Sequence, residues 1–384
     1  MITRAYEPLD PYVTPGRVLV IYGPRRVGKT TLLQGYLAGT PLKQRLLSGD
    51  DIRVQIALGS QDASQILGFA EGYDVLAIDE AQRVPGIGMG LKILVDRRPD
   101  LRVIATGSSS FELAGQVGEP LTGRKRTLEL FPIAQCEMLA QMNRQQLREG
   151  LEGFLVYGSY PEVVTAQTRQ DKINVLDEIV GSYLLRDILS LNGGKAARTL
   201  LELLQLIALQ VGAEVSVNEL STKTGENNKV IRRLLDLLEK AFVLVRSLPF
   251  SRNLRDEVIS AKFKYYFHDN GIRNALVQQF NPLSLRSGQE IGQLWENFVF
   301  IERLKYRQYA RIHGNFYFWR AYRSQREVNL VEERDGVLHG YECKWSPDGH
   351  PSAPPRWEEA YEMTTFQIVN PENYQDLVLP PRQA

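Results

Sequence analysis

The sequence predicts an α/β fold built around a mainly parallel β-sheet with helices on its faces. Short β-branched runs alternate with amphipathic stretches through the first half of the chain, which is the pattern that a parallel sheet requires. A glycine-rich turn lies between the first predicted strand and the first predicted helix, and a later apolar run ends in two carboxylates. These three observations predict a sheet whose carboxyl edge carries a binding site.

The element pattern changes along the chain. The first half contains five strand candidates, at 17–22, 43–47, 74–78, 101–106 and 126–131. From residue 135 onward the sequence pattern becomes helical. Three further helices are predicted at 199–211, 216–220 and 228–240. Two paired strands are predicted after them, at 243–248 and 262–267. The last segment predicts a helix and three strands, at 291–306, 315–320, 326–334 and 337–345, with an Asp335-Gly336 hairpin turn between the last two strands.

The composition excludes several classes of protein. Apolar residues make up 43% and charged residues 24% of the 384 residues, so the chain has the composition of a globular protein. Neither a membrane-spanning apolar run nor the apolar core of a secretory signal is found. The two cysteines, Cys136 and Cys343, cannot build a disulfide framework. We therefore expect a cytoplasmic protein that does not associate with membranes, and the net charge of +1 restricts any nucleic-acid contact to a local patch.

The glycine-rich turn matches the phosphate-binding loop G-x-x-x-x-G-K-[ST] in full. Its nucleotide-binding candidates are Gly23, Pro24, Arg25, Arg26, Val27, Gly28, Lys29, Thr30 and Thr31. The glycines allow the backbone N–H groups to face phosphates at the start of a helix. Lys29 is expected to reach the β- and γ-phosphates of ATP, and the Thr30 hydroxyl is expected to bind Mg²⁺. A chance glycine turn is the alternative, but the strand before the loop and the helix after it favour a nucleotide site.

Two further strand ends complete the predicted site. The apolar run at 74–78 leads into Asp79 and Glu80, which predicts that Asp79 holds the magnesium shell and that Glu80 polarises the attacking water. Ser108 follows the strand at 101–106, and a hydroxyl at this edge of a parallel sheet can contact the γ-phosphate or the water. An ordinary serine turn remains the alternative for Ser108.

The motifs resemble a family of bacterial and archaeal AAA+ ATPases. The resemblance rests on Asp-Glu-Ala-Gln at 79–82, Thr-Gly-Ser-Ser-Ser at 106–110, Leu-Thr-Gly-Arg at 121–124 and Leu-Phe-Pro-Ile at 130–133. It implies a P-loop AAA+ parallel sheet, a helical lid, a winged helix and a restriction-endonuclease-like α/β domain. The corresponding boundaries are 1–134 for the ATPase core, 135–194 for the lid, 195–285 for the winged helix and 286–384 for the C-terminal domain.

The resemblance also assigns roles to two arginines. Arg124 lies where AAA+ proteins place an arginine finger, which completes the site of a neighbouring subunit. Arg186 resembles a second family marker, either a sensor or another interface arginine. Surface salt bridges are the alternative for both residues. If Arg124 acts in trans, the working unit is an oligomer, and a closed ring, with a hexamer favoured, repeats such a head-to-tail contact.

A basic helix face marks a possible DNA contact. In the helix at 228–240, apolar residues repeat at helical spacing, whereas Lys229, Arg232 and Arg233 fall mostly on the opposite face near the start of the helix. In helix-turn-helix proteins this end of the third helix meets DNA. A solvated basic face or a protein contact is the alternative reading of these three residues.

The C-terminal segment resembles a PD-(D/E)xK nuclease core. The corresponding residues are Glu296, Asn329, Glu342 and Lys344. Such nucleases need clustered carboxylates for a divalent metal and a lysine that stabilises the reacting charge. Asn329 stands where the motif has aspartate, and a neutral amide is a poor magnesium ligand. We therefore expect a degenerate nuclease fold that is retained for binding.

Three functional hypotheses follow. The preferred one is an oligomeric AAA+ ATPase that binds DNA and couples ATP hydrolysis to DNA translocation or remodelling, with branched junctions as one possible substrate. The second is a nucleotide-gated winged-helix switch that does not translocate, and the third is a nuclease governed by ATP. DNA-stimulated ATP turnover separates the first from the second, and nicking of DNA in Mg²⁺ or Mn²⁺ would identify the third.

Overall fold

The computed structural model describes residues 2–108, 121–181, 194–250, 262–321, 326–346, 353–354, 357, 361 and 363–382. The described chain forms two compact units. The first unit comprises Thr3–Pro132 with Lys240–Phe242, and the second comprises chiefly Ile133–Glu239 with Val243–Ala384. The residues predicted as lid, winged helix and C-terminal domain therefore lie in one compact unit.

The first unit contains a five-stranded parallel sheet in the order β2-β3-β4-β1-β5. Its strands are β1 (Val18–Tyr22), β2 (Gln44–Ser48), β3 (Val75–Asp79), β4 (Arg102–Gly107) and β5 (Lys125–Glu129). Its helices are α1 (Lys29–Gly39), α2 (Ile52–Gly59), α3 (Ala63–Gly68) and α4 (Ile87–Arg97). The predicted α/β fold class is confirmed, and each of the five strand candidates corresponds to an observed strand with boundaries shifted by one or two residues.

Burial explains why these segments form the sheet. The three central strands are apolar on both faces, as parallel strands covered by helices must be, and Val20, Ile78 and Val103 are at most 2% exposed. Helix α4 supplies Leu91 and Leu94 to the same core. All five strands run in one direction, so their carboxyl ends lie at a single edge of the sheet.

The second unit begins with short helices and continues with longer ones. Its helices are α5 (Gln135–Met138), α6 (Arg144–Glu149), α7 (Leu151–Tyr157), α8 (Pro161–Thr165), α9 (Arg169–Glu178), α10 (Gly194–Leu209), α11 (Val217–Thr224), α12 (Asn228–Lys240), α13 (Asn270–Leu276), α14 (Gly288–Ala310) and α15 (Gln375–Val378). Ser216 caps α11 because its side chain accepts from the Glu219 N–H. This cap was predicted from the Ser-x-x-Glu spacing.

One mixed sheet runs through the second unit. Its strands are β6 (Glu214–Val215), β7 (Leu244–Pro249), β8 (Phe263–Phe267), β9 (Asn315–Ala321), β10 (Arg326–Arg334), β11 (Val337–Cys343) and β12 (Thr364–Val369). The order is β12-β11-β10-β9-β7-β8-β6. The hairpin predicted from Asp335-Gly336 is present, because both residues have positive φ and Arg334 pairs with Val337. The pairing of β7 with β9 joins the predicted wing strands to the C-terminal strands in a single sheet.

Candidate nucleotide site and other polar clusters

The phosphate-binding loop leaves the carboxyl end of β1 and leads directly into α1. Three of its residues have left-handed backbone, with φ of 145° at Gly23, 60° at Arg26 and 92° at Gly28. A Cβ at Gly23 would lie 2.0 Å from the Leu130 carbonyl oxygen, so only glycine fits this position. Successive turns of opposite hand direct backbone N–H groups into a common concavity, which is a site for anions. The predicted residues Gly23 to Thr31 thus form one continuous loop and helix start.

Lys29 is the first residue of α1 and is 5% exposed. Its ammonium donates to the Gly23 carbonyl at 3.0 Å and to the Pro24 carbonyl at 2.6 Å. Burial lowers the pKa of Lys29 to about 8, and the nearby carboxylates of Glu80 and Asp79 oppose that shift. The side chain therefore stays largely protonated at neutral pH and lies inside the loop that would surround the phosphates.

Asp79 is held by two hydroxyl groups at the end of β3. Thr30 Oγ1 donates to Asp79 Oδ2 at 2.9 Å, and Thr106 Oγ1 donates to Asp79 Oδ1. The Thr106 hydroxyl also accepts from the Glu80 N–H at 3.2 Å. Glu80 itself has left-handed backbone, with φ of 52°, and its carboxylate accepts from the Gln82 amide. The Thr106 hydroxyl thus contacts both the Asp79 carboxylate and the Glu80 backbone at the end of β3.

The donor set at Thr30 and Asp79 fits Mg²⁺. Magnesium binds hydroxyl and carboxylate oxygens in an octahedral shell at about 2.1 Å, which places neighbouring ligands about 3.0 Å apart. The Thr30 and Asp79 oxygens are 2.9 Å apart. The two oxygens are thus already spaced as adjacent ligands of such an ion.

Two residues of this site were given no role by the sequence motifs, and their contacts emerge only from the fold. Thr106 lies inside β4, and its role depends on the pairing of β4 with β3. Gly49 follows β2, and a Cβ there would lie 2.2 Å from the Glu80 carbonyl oxygen. The predicted Ser108 is 3% exposed directly after β4, while the rest of its serine turn lies outside the described residues.

Arg124 lies at the opposite edge of the sheet from the loop. Its carbonyl accepts from the Val18 N–H at 2.9 Å, at the amino end of β1, so roughly 16 Å of strand separates it from Gly23. Its Nε donates to Asp96 Oδ1 at 2.6 Å, and both side chains are 39% exposed. Arg124 therefore lies well away from the phosphate-binding loop of its own chain. Arg186, the second predicted arginine, lies outside the described residues.

The predicted basic face is present on α12. Lys229, Arg232 and Arg233 are exposed, whereas Ile231 and Leu234 on the other side of the helix are buried. No ion pair within the described part of the chain involves any of the three cations. Their charge is thus available to a ligand.

The four predicted nuclease-like residues lie in one region of the second unit. Asn329 Nδ2 donates to Glu296 Oε2 at 3.0 Å, and Asn329 Oδ1 accepts from the Cys343 N–H at 2.8 Å. Lys344 pairs with Glu342 at 2.8 Å. Burial raises the pKa of Glu342, and Lys344 opposes that shift.

A buried lysine supplies the positive charge of this cluster. Lys264 on β8 is fully buried, and its ammonium lies 3.1 Å from Glu296 Oε1 and 3.5 Å from Glu327 Oε2. The Tyr266 hydroxyl donates to Glu296 Oε1 at 2.7 Å. Both oxygens of Glu296 thus already accept hydrogen bonds, and the region of the structure that is described assembles no group of three or more side chains able to hold a metal. The residues present do not fit the divalent metal of a nuclease.

Another buried polar cluster lines a small cavity in the second unit. Lys305 donates to Glu302 at 2.8 Å, to the Ser159 hydroxyl at 3.1 Å and to the Ile133 carbonyl at 3.4 Å. The Ser159 N–H donates to Asp269 Oδ2 at 2.7 Å. These contacts join the start of the unit to α13 and α14 and satisfy the buried charges.

Three family models match separate parts of the chain. Residues 15–139 match an AAA domain, residues 148–283 match a domain of unknown function (DUF8612), and residues 291–375 match another domain of unknown function (DUF4143). The nucleotide site described above lies entirely within the AAA match. The N-terminal region is therefore similar to AAA domains in sequence, and it has the P-loop geometry.

Similar whole proteins are found in distant organisms. The uncharacterized protein Rv2008c of Mycobacterium tuberculosis is 28% identical over 85% of this chain and 70% of its own length. An uncharacterized protein of Haemophilus influenzae is 28% identical over 75% of this chain and 74% of its own length. The similarity in both cases extends well beyond the AAA match.

One solved structure aligns with 79% of this chain at 14% identity. It is that of a signal transduction ATPase with numerous domains (STAND protein) from Pyrococcus horikoshii, which has a tetratricopeptide repeat sensor. Its TM-score is 0.29, and this chain spans 45% of its length. A TM-score of this size does not establish a shared fold.

In the described chain, every helix is too short or too polar to cross a membrane.

Lys264→Met should lower the free energy of unfolding by about 3 kcal/mol, because it removes a fully buried cation and leaves the partly buried carboxylates of Glu296 and Glu327 without it. Lys223→Met is the matched control. Lys223 pairs with Glu219 at 2.7 Å, and the two side chains are 45% and 36% exposed, so removing this lysine should cost at most about 1 kcal/mol. Urea denaturation of both variants measures the difference, and equal losses would contradict a central role for Lys264.

Proposed function

We propose that this protein is a Mg²⁺-dependent ATPase of the AAA type that works as an oligomer and acts on DNA. The observation that carries the ATPase proposal is the contact of Thr30 and Thr106 with one carboxylate, Asp79, beside the buried Lys29. The AAA match over residues 15–139 supports it independently.

The proposed chemistry starts from the loop. The Lys29 ammonium exchanges the Gly23 and Pro24 carbonyls for β- and γ-phosphate oxygens, which offset its burial with negative charge. Thr30 and Asp79 hold Mg²⁺, which when bound neutralises charge that develops on the transferring phosphoryl group. Thr106 keeps the Asp79 carboxylate oriented toward Thr30.

Glu80 is proposed to position and polarise the attacking water. Its backbone N–H donates to the Thr106 hydroxyl, and its backbone is left-handed with φ of 52°. A residue held in this sparsely populated backbone region is common at functional sites. Ser108, buried at the adjacent strand end, is proposed to contact the γ-phosphate or the same water.

The proposed oligomer follows from the position of Arg124. Arg124 lies at the sheet edge opposite its own loop, and this position supports a contact with the nucleotide of a neighbouring molecule. A head-to-tail contact of this kind closes into a ring, and we favour a hexamer. The unpaired cations Lys229, Arg232 and Arg233 are the proposed DNA contact, and hydrolysis would drive translocation or remodelling of that DNA.

Glu80→Gln should retain ATP binding and lower kcat by at least about 10²-fold, because the amide cannot act as a base. Lys29→Ala should instead weaken ATP binding about tenfold or more, since a charge-assisted contact is lost. Phosphate release and equilibrium nucleotide titration measure the two effects. Wild-type turnover by Glu80→Gln would refute the assignment of Glu80.

Arg124→Ala should lower turnover about 10³-fold while nucleotide affinity is retained. Mixing it with Lys29→Ala protein should partly restore turnover, since each variant supplies what the other lacks. Asp96→Ala is the matched control, because it removes the ion pair and leaves the guanidinium in place. If Asp96→Ala loses activity as Arg124→Ala does, Arg124 acts through its salt bridge and the trans role is wrong.

The triple change of Lys229, Arg232 and Arg233 to Ala should weaken binding to DNA of any sequence. The slope of log affinity against log salt should fall by up to about 2.7, because three fewer counterions are released. The control is the double change of Arg198 and Lys223 to Ala, since those cations are already paired with Glu202 and Glu219 at 2.8 and 2.7 Å. An unchanged slope in the triple variant would place the DNA contact elsewhere.

A further inference from the structure

An arginine near the start of the chain lies against the phosphate-binding loop. Arg4 is 6% exposed. One of its guanidinium nitrogens, Nη1, donates to the Val27 carbonyl, and the other, Nη2, donates to the Phe131 carbonyl at 2.7 Å. Nη1 also lies 3.5 Å from the position that a Cβ at Gly28 would take. The guanidinium thus bridges the second half of the loop and the segment that follows β5.

We propose that Arg4 is a positioning residue that holds the loop in its phosphate-binding shape before any nucleotide arrives. The proposal rests on the proposed ATPase function and extends it to a residue outside every motif of the site. A loop whose N–H groups face inward must direct carbonyl groups elsewhere, and a buried carbonyl needs a donor. Arg4 supplies that donor to Val27, between the left-handed residues Arg26 and Gly28.

Two cations, Lys29 and Arg4, donate to the loop carbonyls. They differ in whether they must release these carbonyls when a nucleotide binds. Lys29 holds the Gly23 and Pro24 carbonyls, and it must release them to reach the phosphates. Arg4 donates to the backbone carbonyls of Val27 and Phe131, and neither contact has to be released for Lys29 to reach the phosphates. We therefore expect the half of the loop at Val27 to keep its donor through the binding event.

The segment that follows β5 lies against the phosphate-binding loop and is itself held by backbone hydrogen bonds. The Leu130 N–H donates to the Tyr22 carbonyl at 2.8 Å, and the Leu130 carbonyl lies where a Cβ at Gly23 would be. The next residue, Phe131, accepts from Arg4. The loop is thus fixed at its start by the close approach of Gly23 to Leu130 and near its end by Arg4.

Arg4 is itself held in place by the segment that follows it. Its carbonyl accepts from the Glu7 N–H at 3.0 Å. Tyr6, Leu9 and Val13 are at most 7% exposed, and the rings of Tyr6 and Tyr12 meet edge to face with centroids 5.6 Å apart. An anchored guanidinium loses little further freedom when the loop closes around a ligand, which is the basis of preorganisation.

The test compares equilibrium binding of ribose-labelled fluorescent ADP and ATP to full-length wild-type, Arg4→Met and Arg126→Ala proteins. Arg4→Met keeps an apolar stem and removes both donors, so its Kd for both nucleotides should rise about tenfold or more. In turnover, KM should rise by the same factor while kcat stays within about threefold of wild type. Arg126→Ala is the matched control, because Arg126 also donates to a carbonyl of the N-terminal segment, that of Pro11 at 2.8 Å, without touching the loop. Its Kd should be unchanged.

Arg4→Lys tests whether a conservative change partly restores the nucleotide affinity that Arg4→Met loses. An ammonium keeps the buried positive charge but cannot span both carbonyls as a planar fork does, so its Kd should lie between those of wild type and Arg4→Met. If Arg4→Met does not fold, Arg4→Lys decides alone, and wild-type affinity in it overturns the proposal. An unchanged Kd in folded Arg4→Met, or an equal loss in Arg126→Ala, also overturns it. Wild-type protein that binds neither nucleotide would refute the ATPase function, and the role of Arg4 with it.

Discussion

The burial of one ammonium group governs the nucleotide site. Lys29 is almost completely removed from water and must find acceptors nearby, because an unpaired buried cation is costly. The loop meets this need by turning the Gly23 and Pro24 carbonyls toward it. That path requires left-handed backbone and a close approach to Leu130, which only glycine at position 23 allows. The loop shape, the glycine and the lysine are therefore a single physical solution.

The same requirement, a buried charge that must be paired, organises the second unit differently. Lys264 places a cation among carboxylates where the resemblance implies a divalent metal. Asn329 completes the arrangement, because its amide donates to Glu296 whereas an ionised aspartate could only accept. The neutral amide of Asn329 and the internal ammonium of Lys264 thus both donate to Glu296 and belong to one hydrogen-bonded cluster.

The Leu-Phe-Pro-Ile segment at 130–133 contains one of the boundaries between the two units and makes backbone contacts within each unit. Leu130 and Phe131 support the phosphate-binding loop, and two residues later the Ile133 N–H donates to the Ser159 carbonyl at 2.8 Å. The Ile133 carbonyl accepts from the buried Lys305. Leu130 and Phe131 thus contact the first unit, and Ile133 contacts the second, in each case through backbone groups.

Local sequence was sufficient for everything that depends on neighbouring residues. The phosphate loop, the hairpin at Asp335-Gly336 and the cap at Ser216 each follow from a few adjacent side chains and their backbone preferences, and each is present as predicted. The five strands of the first sheet were also predictable, because burial on both faces imposes continuous apolar runs. Strand boundaries shifted by one or two residues, since hydrogen-bond partners and not composition decide where pairing stops.

Tertiary structure alone decided the contacts between residues far apart in the chain. Thr106 reaches Asp79 across 27 positions, and Arg4 reaches Phe131 across 127. Lys264 reaches Glu296 across 32. Thr106 begins the Thr-Gly-Ser-Ser-Ser motif, but the motif assigns it no partner, and Arg4 and Lys264 lie outside every motif. A threonine in a strand, an arginine near a terminus and a lysine in an apolar run each have many possible roles. Which role each takes depends on strand order and on the pairing of buried charges, and both are properties of the folded chain.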